Sequence, residues 1–200
     1  MADKKDEKFD QRYDLGIAYE DYKYDENEKW QQKDSSSIDW SQYILLTENA
    51  DSPAGYLVPR AAKGRSPMLQ GMLADEEPSP DTPAVIACNN FERPIVYLVA
   101  KYLAYYGENP TIEPRTIPRP FTDAKLPVSK FDEGFVNVNF PSDAKDISNI
   151  IGVMNVANFL QVGSLLDLCC AHLTLRMRGK TPDGIRAIFD GQRLPRQNVE

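Results

Sequence analysis

Fourteen residues near the C-terminal end, Ala157-Asn-Phe-Leu-Gln-Val-Gly-Ser-Leu-Leu-Asp-Leu-Cys-Cys170, restrict the fold more than any other stretch of this 200-residue chain. They are too apolar for a solvated helix, and polar residues interrupt them well short of the ~20 apolar residues that cross a bilayer. Such a segment must be buried, against its own chain or against another. Gly163 predicts a break within it. Before the break, a helix over Ser142–Leu160 places Ile147, Ile150, Ile151, Met154, Ala157 and Leu160 on one face. After it, a second helix runs from Ser164 to about Arg178 through Leu165, Leu168, Cys169, His172 and Leu175. Gly179 ends that helix. Thr181 as N-cap, Pro182 at the first helical position and Asp183 in the first turn then start a third, with Ile185, Ile188 and Phe189 as its apolar face.

The chain ahead of these helices alternates strands and helices. Ser41–Thr47 reads as a strand, residues 48–55 as a turn, and Gly55–Val58 as the returning strand, closed by Pro59. Ser66 followed by Pro67 caps a short helix to Ala74, with Met68, Leu69, Met72 and Leu73 on one face. A loop from Asp75 to Pro83 leads to a buried strand, Ala84–Cys88, and then to a helix over Arg93–Tyr106 with Ile95, Leu98, Val99, Tyr102 and Leu103 as its stripe. Residues 107–141 carry Pro110, Pro114, Pro118, Pro120 and Pro127, which read as a loop-like insertion. The order is that of an α+β domain.

Charge and composition exclude several classes of function. The chain carries -7 overall; residues 1–40 hold 12 Asp/Glu against 7 Lys/Arg, or -5, leaving -2 for the rest. That balance argues against nucleic acid as a partner. The first 39 residues form an acidic extension in which Tyr13, Tyr19, Tyr22, Tyr24 and Trp30 show neither helical nor strand period. It buries too little to order alone, so it is either a solubilising tail or a peptide that orders on a partner. With three cysteines (Cys88, Cys169, Cys170), no metal spacing and no signal-peptide pattern, the expected setting is reducing, with no membrane insertion: cytoplasm, nucleus or both.

No catalytic constellation emerges. His172 sits mid-helix without a nucleophile or acid in motif relation and reads as a packed histidine. Arg178-Gly-Lys-Thr181 is not a phosphate-binding loop, because Thr174 stands where that motif needs glycine and a helix precedes it. Adjacent Cys169 and Cys170 point to different helix faces, and Asp75-Glu-Glu77 and Asp132-Glu133 read as solvated charge. The expectation is a protein that is not an enzyme and needs no cofactor or metal.

With these elements placed, the chain resembles the adaptor family of the S-phase-kinase-associated F-box-binding protein and elongin C, which has the BTB/POZ fold. The segments that carry the resemblance are Tyr56-Leu-Val58 with Ser66 and Met72-Leu73; Val85-Ile-Ala-Cys88 with the helix Ile95–Tyr106; Leu126-Pro-Val128; Val153–Asp167; and Arg178–Phe189. The last block, Gly-Lys-Thr-Pro with Ile-Arg and Phe at fixed offsets, is similar to the F-box-binding branch. The resemblance implies a BTB/POZ-like domain over residues 40–163, with a small three-stranded sheet and the insertion at 107–141. Partner-binding helices over 164–190 and a tail over 191–200 would follow. It further implies a heteromeric complex with two contact faces. Leu165, Leu166, Ile185, Ile188 and Phe189 would hold an F-box-like protein, and Asn158 and Phe159 would meet a cullin.

The departures from the family pattern concern both faces. A further acidic helix with a Trp-Cys pair is not matched, Gly184 replaces a glutamate, and Phe159 replaces a tyrosine. The acidic extension has no family counterpart. Two functions are consistent with such a divergent paralogue: an adaptor that bridges an F-box-type motif to a cullin in a ubiquitin ligase, or a fixed structural subunit that holds an F-box-like partner without a cullin.

Overall fold

The computed structural model describes residues 22–25 and 28–32 as backbone, and 39–48, 55–81, 84–121, 125–141 and 147–189 in full. Strands β1 (Tyr22–Asp25) and β2 (Glu28–Gln32) pair antiparallel, with Tyr22 opposite Gln32 and a register shift between Lys23 and Asp25. The aperiodic spacing of aromatics in the extension gave no sign of this hairpin. The rest of the extension, the expected turn at 49–54, the helix start at 142–146 and the tail at 191–200 lie outside the described residues.

The central sheet is small and mixed. Strand β3 (Tyr43–Thr47) pairs antiparallel with β4 (Gly55–Pro59) and parallel with β5 (Ala84–Ala87), in the order β4-β3-β5. Ahead of β3, residues 40–42 form a 3-10 turn capped by the Asp39 carboxylate, which accepts the Ser41 N–H at 3.1 Å. The expected strand start at Ser41 therefore moves to Tyr43. Gly55 is required by close approach, because a Cβ there would come within 2.7 Å of the Leu45 side chain and the Leu46 carbonyl oxygen.

Alternation along the strands divides the apolar residues between two faces. Ile44, Leu46, Val58, Ala84 and Ile86 join the main core, whereas Leu45 and Leu57 form a second small cluster under Trp40. A 3-10 segment over Arg60–Arg65 leads into α1 (Pro67–Met72). Leu69 and Leu73 are buried as expected; Met72, placed on the same face by spacing, is 51% exposed. A six-residue helix is too short to hold four residues of one stripe against the core.

Helix α2 (Arg93–Glu108) packs across β4, the 3-10 segment and α4 (Ser148–Phe159). Its stripe is wider than predicted, with Val96, Ala100 and Tyr106 buried beside Ile95, Val99, Tyr102 and Leu103. The reason lies in the 107–141 segment, which is not a simple loop. Between its last two prolines it forms α3 (Lys130–Asn139), whose Phe131, Phe135 and Val136 cover the far side of α2.

Rings of α2 and α3 make a continuous aromatic cluster, with Tyr105 stacked on Phe131 at 3.7 Å and Phe135 edge-on to Tyr102 at 5.6 Å. Asp132, expected as solvated charge, is buried and accepts the Tyr106 hydroxyl at 2.9 Å and the Ser129 hydroxyl at 2.9 Å. Burial raises its pKa, and the hydrogen bonds from Tyr106 and Ser129 oppose that rise.

Helix α5 (Gly163–Met177) follows α4 after a turn in which Gln161 takes φ 56. The break expected at Gly163 thus falls two residues earlier, and Gly163 opens the next helix. Gly179, at φ +71, ends the α5 region as predicted, and α6 (Pro182–Phe189) follows.

Candidate functional site

Helix α6 is built by its start signal. The Thr181 hydroxyl accepts the Gly184 N–H at 3.2 Å, Pro182 follows, and Asp183 in the first turn pairs with Arg186 at 3.1 Å. None of its residues is buried. Ile188 and Phe189 rest half-covered on the edge of the core, and Ile185 is also half-exposed. Leu166 of α5 is half-buried too, whereas Leu165 is 0% exposed. Leu165 is therefore core in this chain. Leu166, Ile185, Ile188 and Phe189 remain accessible.

The insertion also borders these helices. Arg119 forms an ion pair with Asp167 of α5, and Arg178 donates to the Phe121 carbonyl at 3.2 Å while its guanidinium lies 5.4 Å from the Phe121 ring centroid. Sequence reasoning left this strap unassigned, and nothing in its proline-rich pattern locates it.

The second expected contact pair lies at the end of α4. Asn158 is exposed and Phe159 is 38% exposed, its ring 5.6 Å from that of Phe91 in the β5–α2 connection. Phe91 was not singled out from sequence, where it stands in a run without periodicity. The end of α4 is held by Ser66, which is buried, accepts the Leu69 N–H at 3.0 Å and donates its hydroxyl proton to the Leu160 carbonyl. Ser66→Ala removes the cap of α1 and leaves that carbonyl short of a donor. It is expected to destabilise the protein by about 1–3 kcal/mol, measured by urea unfolding, with Ser66→Thr, which keeps the hydroxyl, recovering most of the loss.

His172 is buried, and its Nε2–H donates to the Phe140 carbonyl at 2.8 Å, fastening the end of α3 to α5. Burial lowers its pKa below 6.5; the Phe140 bond raises it somewhat and Arg176 lowers it. The unfolded chain therefore binds this proton more readily than the folded one. The contribution of neutral His172 is complete above pH about 6.5 and is lost as pH falls below it. His172→Gln should flatten the decline in stability between pH 7.5 and 5.5 by up to ~1.4 kcal/mol per pH unit, read by urea unfolding at each pH. Asp132, with its raised pKa, acts in the opposite direction, so the difference between wild type and variant isolates the histidine.

These groups have structural partners rather than a shared reaction centre. Cys88 and Cys169 are buried; burial pushes the Cys88 thiol up to about 12 and raises that of Cys169 as well. Cys170, on a different helix face from Cys169, is exposed. Among the described residues no group of His, Cys, Asp and Glu could hold a metal ion, and no helix is long and apolar enough to cross a membrane.

A small mixed sheet under packed helices, ending in a helix with an apolar but unburied face, is an α+β arrangement consistent with the BTB/POZ-like fold. Residues 163–192 match the model of the Skp1 family, dimerisation domain. The S-phase kinase-associated protein 1 homolog of Tetrahymena thermophila is 28% identical over 128 residues, 63% of this chain and 69% of that protein. SKP1-like protein 4 of Arabidopsis thaliana is 36% identical over 63 residues, and SKP1-like protein 9 of the same plant 33% over 63. Each match spans 32% of this chain and 34% and 37%, respectively, of the Arabidopsis proteins. The chain is thus similar to Skp1-type proteins, over its C-terminal helices in the family model and over about two thirds of its length in the Tetrahymena protein.

Proposed function

We propose that this chain is an adaptor of a ubiquitin ligase, in which α5 and α6 hold an F-box-type helical motif of a substrate receptor and the end of α4 meets a cullin. The observation that carries the first half is α6 itself. An eight-residue helix is marginal in water unless its apolar face is covered, and Ile185, Ile188 and Phe189 are incompletely covered by this chain. Helix-in-groove recognition uses such a face. In this reading residues 40–163 form the body and 164–190 the partner-binding helices, although Leu165, Leu168 and Cys169 also root α5 in the common core.

The cullin half rests on the exposed Asn158 and Phe159. A specific observation favours the alternative of a structural subunit without a cullin. Phe159 has no hydroxyl and is engaged with Phe91, so this face offers an aromatic pair where the family presents a tyrosine. The test is affinity purification of the full chain with quantitative mass spectrometry. In the ligase reading a cullin is recovered, and Asn158→Lys lowers its recovery by about tenfold while the F-box-type partner stays bound. A stable partner complex without cullin in the wild type would instead establish the structural subunit.

A further inference from the structure

The insertion strap gives the C-terminal face a charge that the rest of the molecule lacks. Residues 115–121 contribute Arg115 and Arg119, or +2; with Arg176 buried, residues 163–189 contribute Arg178, Lys180 and Arg186 against Asp167 and Asp183, or +1. These surface groups together carry +3 in a chain of net -7, so everything else sums to -10. They are also adjacent in space, joined by the Arg119–Asp167 pair and by Arg178 on Phe121. Arg119 remains 78% exposed and Arg186 77% exposed while paired, so their positive ends still face solvent. Arg178 and Lys180 are exposed as well, at the α5–α6 junction. The apolar edge of Leu166, Ile185, Ile188 and Phe189 therefore belongs to the same pair of helices that carries this cationic border.

We propose that this surface takes an amphipathic helix whose apolar stripe is flanked by acidic residues, and that the strap of residues 115–121 helps to select it. The inference rests on the adaptor reading and adds the chemistry of the partner. Charge at the border of an apolar contact steers encounter and rejects like-charged competitors more than it adds raw affinity. Guanidinium groups suit this role because they bind carboxylates through two parallel hydrogen bonds.

The probes are three designed helical peptides with one apolar stripe at i, i+3, i+4, i+7 spacing and flanking positions filled with Glu, Gln or Lys. Binding to the full chain is measured by fluorescence anisotropy at 50 and 300 mM salt. The Glu peptide should bind about tenfold more tightly than the Gln peptide and the Lys peptide least, with the differences shrinking at the higher salt. Lys180→Glu with Arg186→Glu should reverse the order, and Arg119→Gln should narrow it while the Gln peptide binds as before. Equal binding of all three peptides overturns the selectivity and leaves the adaptor reading intact. Binding of none overturns both. Binding that strengthens with salt would show that the chain's own acidic extension covers the face, and self-association abolished by Phe189→Asp would show that a second copy does; either result overturns the proposal.

Discussion

Phe131→Ala is expected to cost about 3–5 kcal/mol, a large part of the 5–15 kcal/mol that holds a domain of this size together. Phe131 is the hub of the aromatic cluster. Its ring stacks on Tyr105 at 3.7 Å, meets Tyr106 edge-on at 5.7 Å, and lies 6.0 Å from Tyr102 and 5.9 Å from Phe135. Truncation would leave a void between α2 and α3 that four rigid rings cannot close by rotamer changes. It would also loosen the helix turn that presents Asp132 to Tyr106, so a buried carboxylate would lose a well-placed donor. Urea unfolding followed by far-ultraviolet circular dichroism gives the loss directly. Phe131→Leu should recover about half of it, because volume rather than aromaticity dominates the term. A loss below about 1 kcal/mol would mean that α3 is peripheral and that the core ends at α2.

The same cluster shows what the sequence could and could not convey. Strands β3, β4 and β5 and helices α2, α4, α5 and α6 were legible because their residues obey one period and carry their own stop signals. Ser66-Pro67, Gly179 and Thr181-Pro182 each do in the structure what their chemistry suggests. Helix α3 was missed for a specific reason: five prolines between 110 and 127 set the expectation for the whole of 107–141. The signal was nevertheless present. No proline occurs between Pro127 and Pro141, and Ser129 followed three residues later by Asp132 is a cap in which the serine hydroxyl accepts the Asp132 N–H at 3.1 Å. Asp132 was misread with it, since a carboxylate in a loop is solvated whereas one at a helix start facing Tyr106 is not. The candidate site divided along similar lines. The family resemblance assigned Leu165 and Leu166 together to a partner face, but one step of about 100° around the helix carries Leu165 into the core and leaves Leu166 at its edge. Long-range contacts such as Phe91 on Phe159, or Arg119 on Asp167, have no local signature at all.

In the proposed adaptor reading, Phe189→Asp is expected to lower recovery of the F-box-type partner by at least about thirtyfold, the factor that follows from the 2 kcal/mol or more typical of a central aromatic contact. Two effects act together. The ring is half-covered by the described residues and in the proposed complex completes its burial against the partner, so its removal forfeits apolar area on binding. The new carboxylate would then sit in the middle of an apolar contact, where desolvation without a hydrogen-bond donor is costly. It also stands at the C-terminal end of α6, where the helix dipole disfavours negative charge, so the helix itself will be weakened. Ile185→Asp separates these contributions: it lies in the first half of the same helix, where negative charge is tolerated, yet it disrupts the same apolar edge. Purification of both variants from cells expressing the natural partners, with thermal unfolding recorded in parallel, distinguishes the outcomes. Loss of partner with an unfolding midpoint within a few degrees of wild type supports a binding face on α6. Undiminished recovery with both variants would remove α6 from the interface and leave its unburied apolar residues without a binding role.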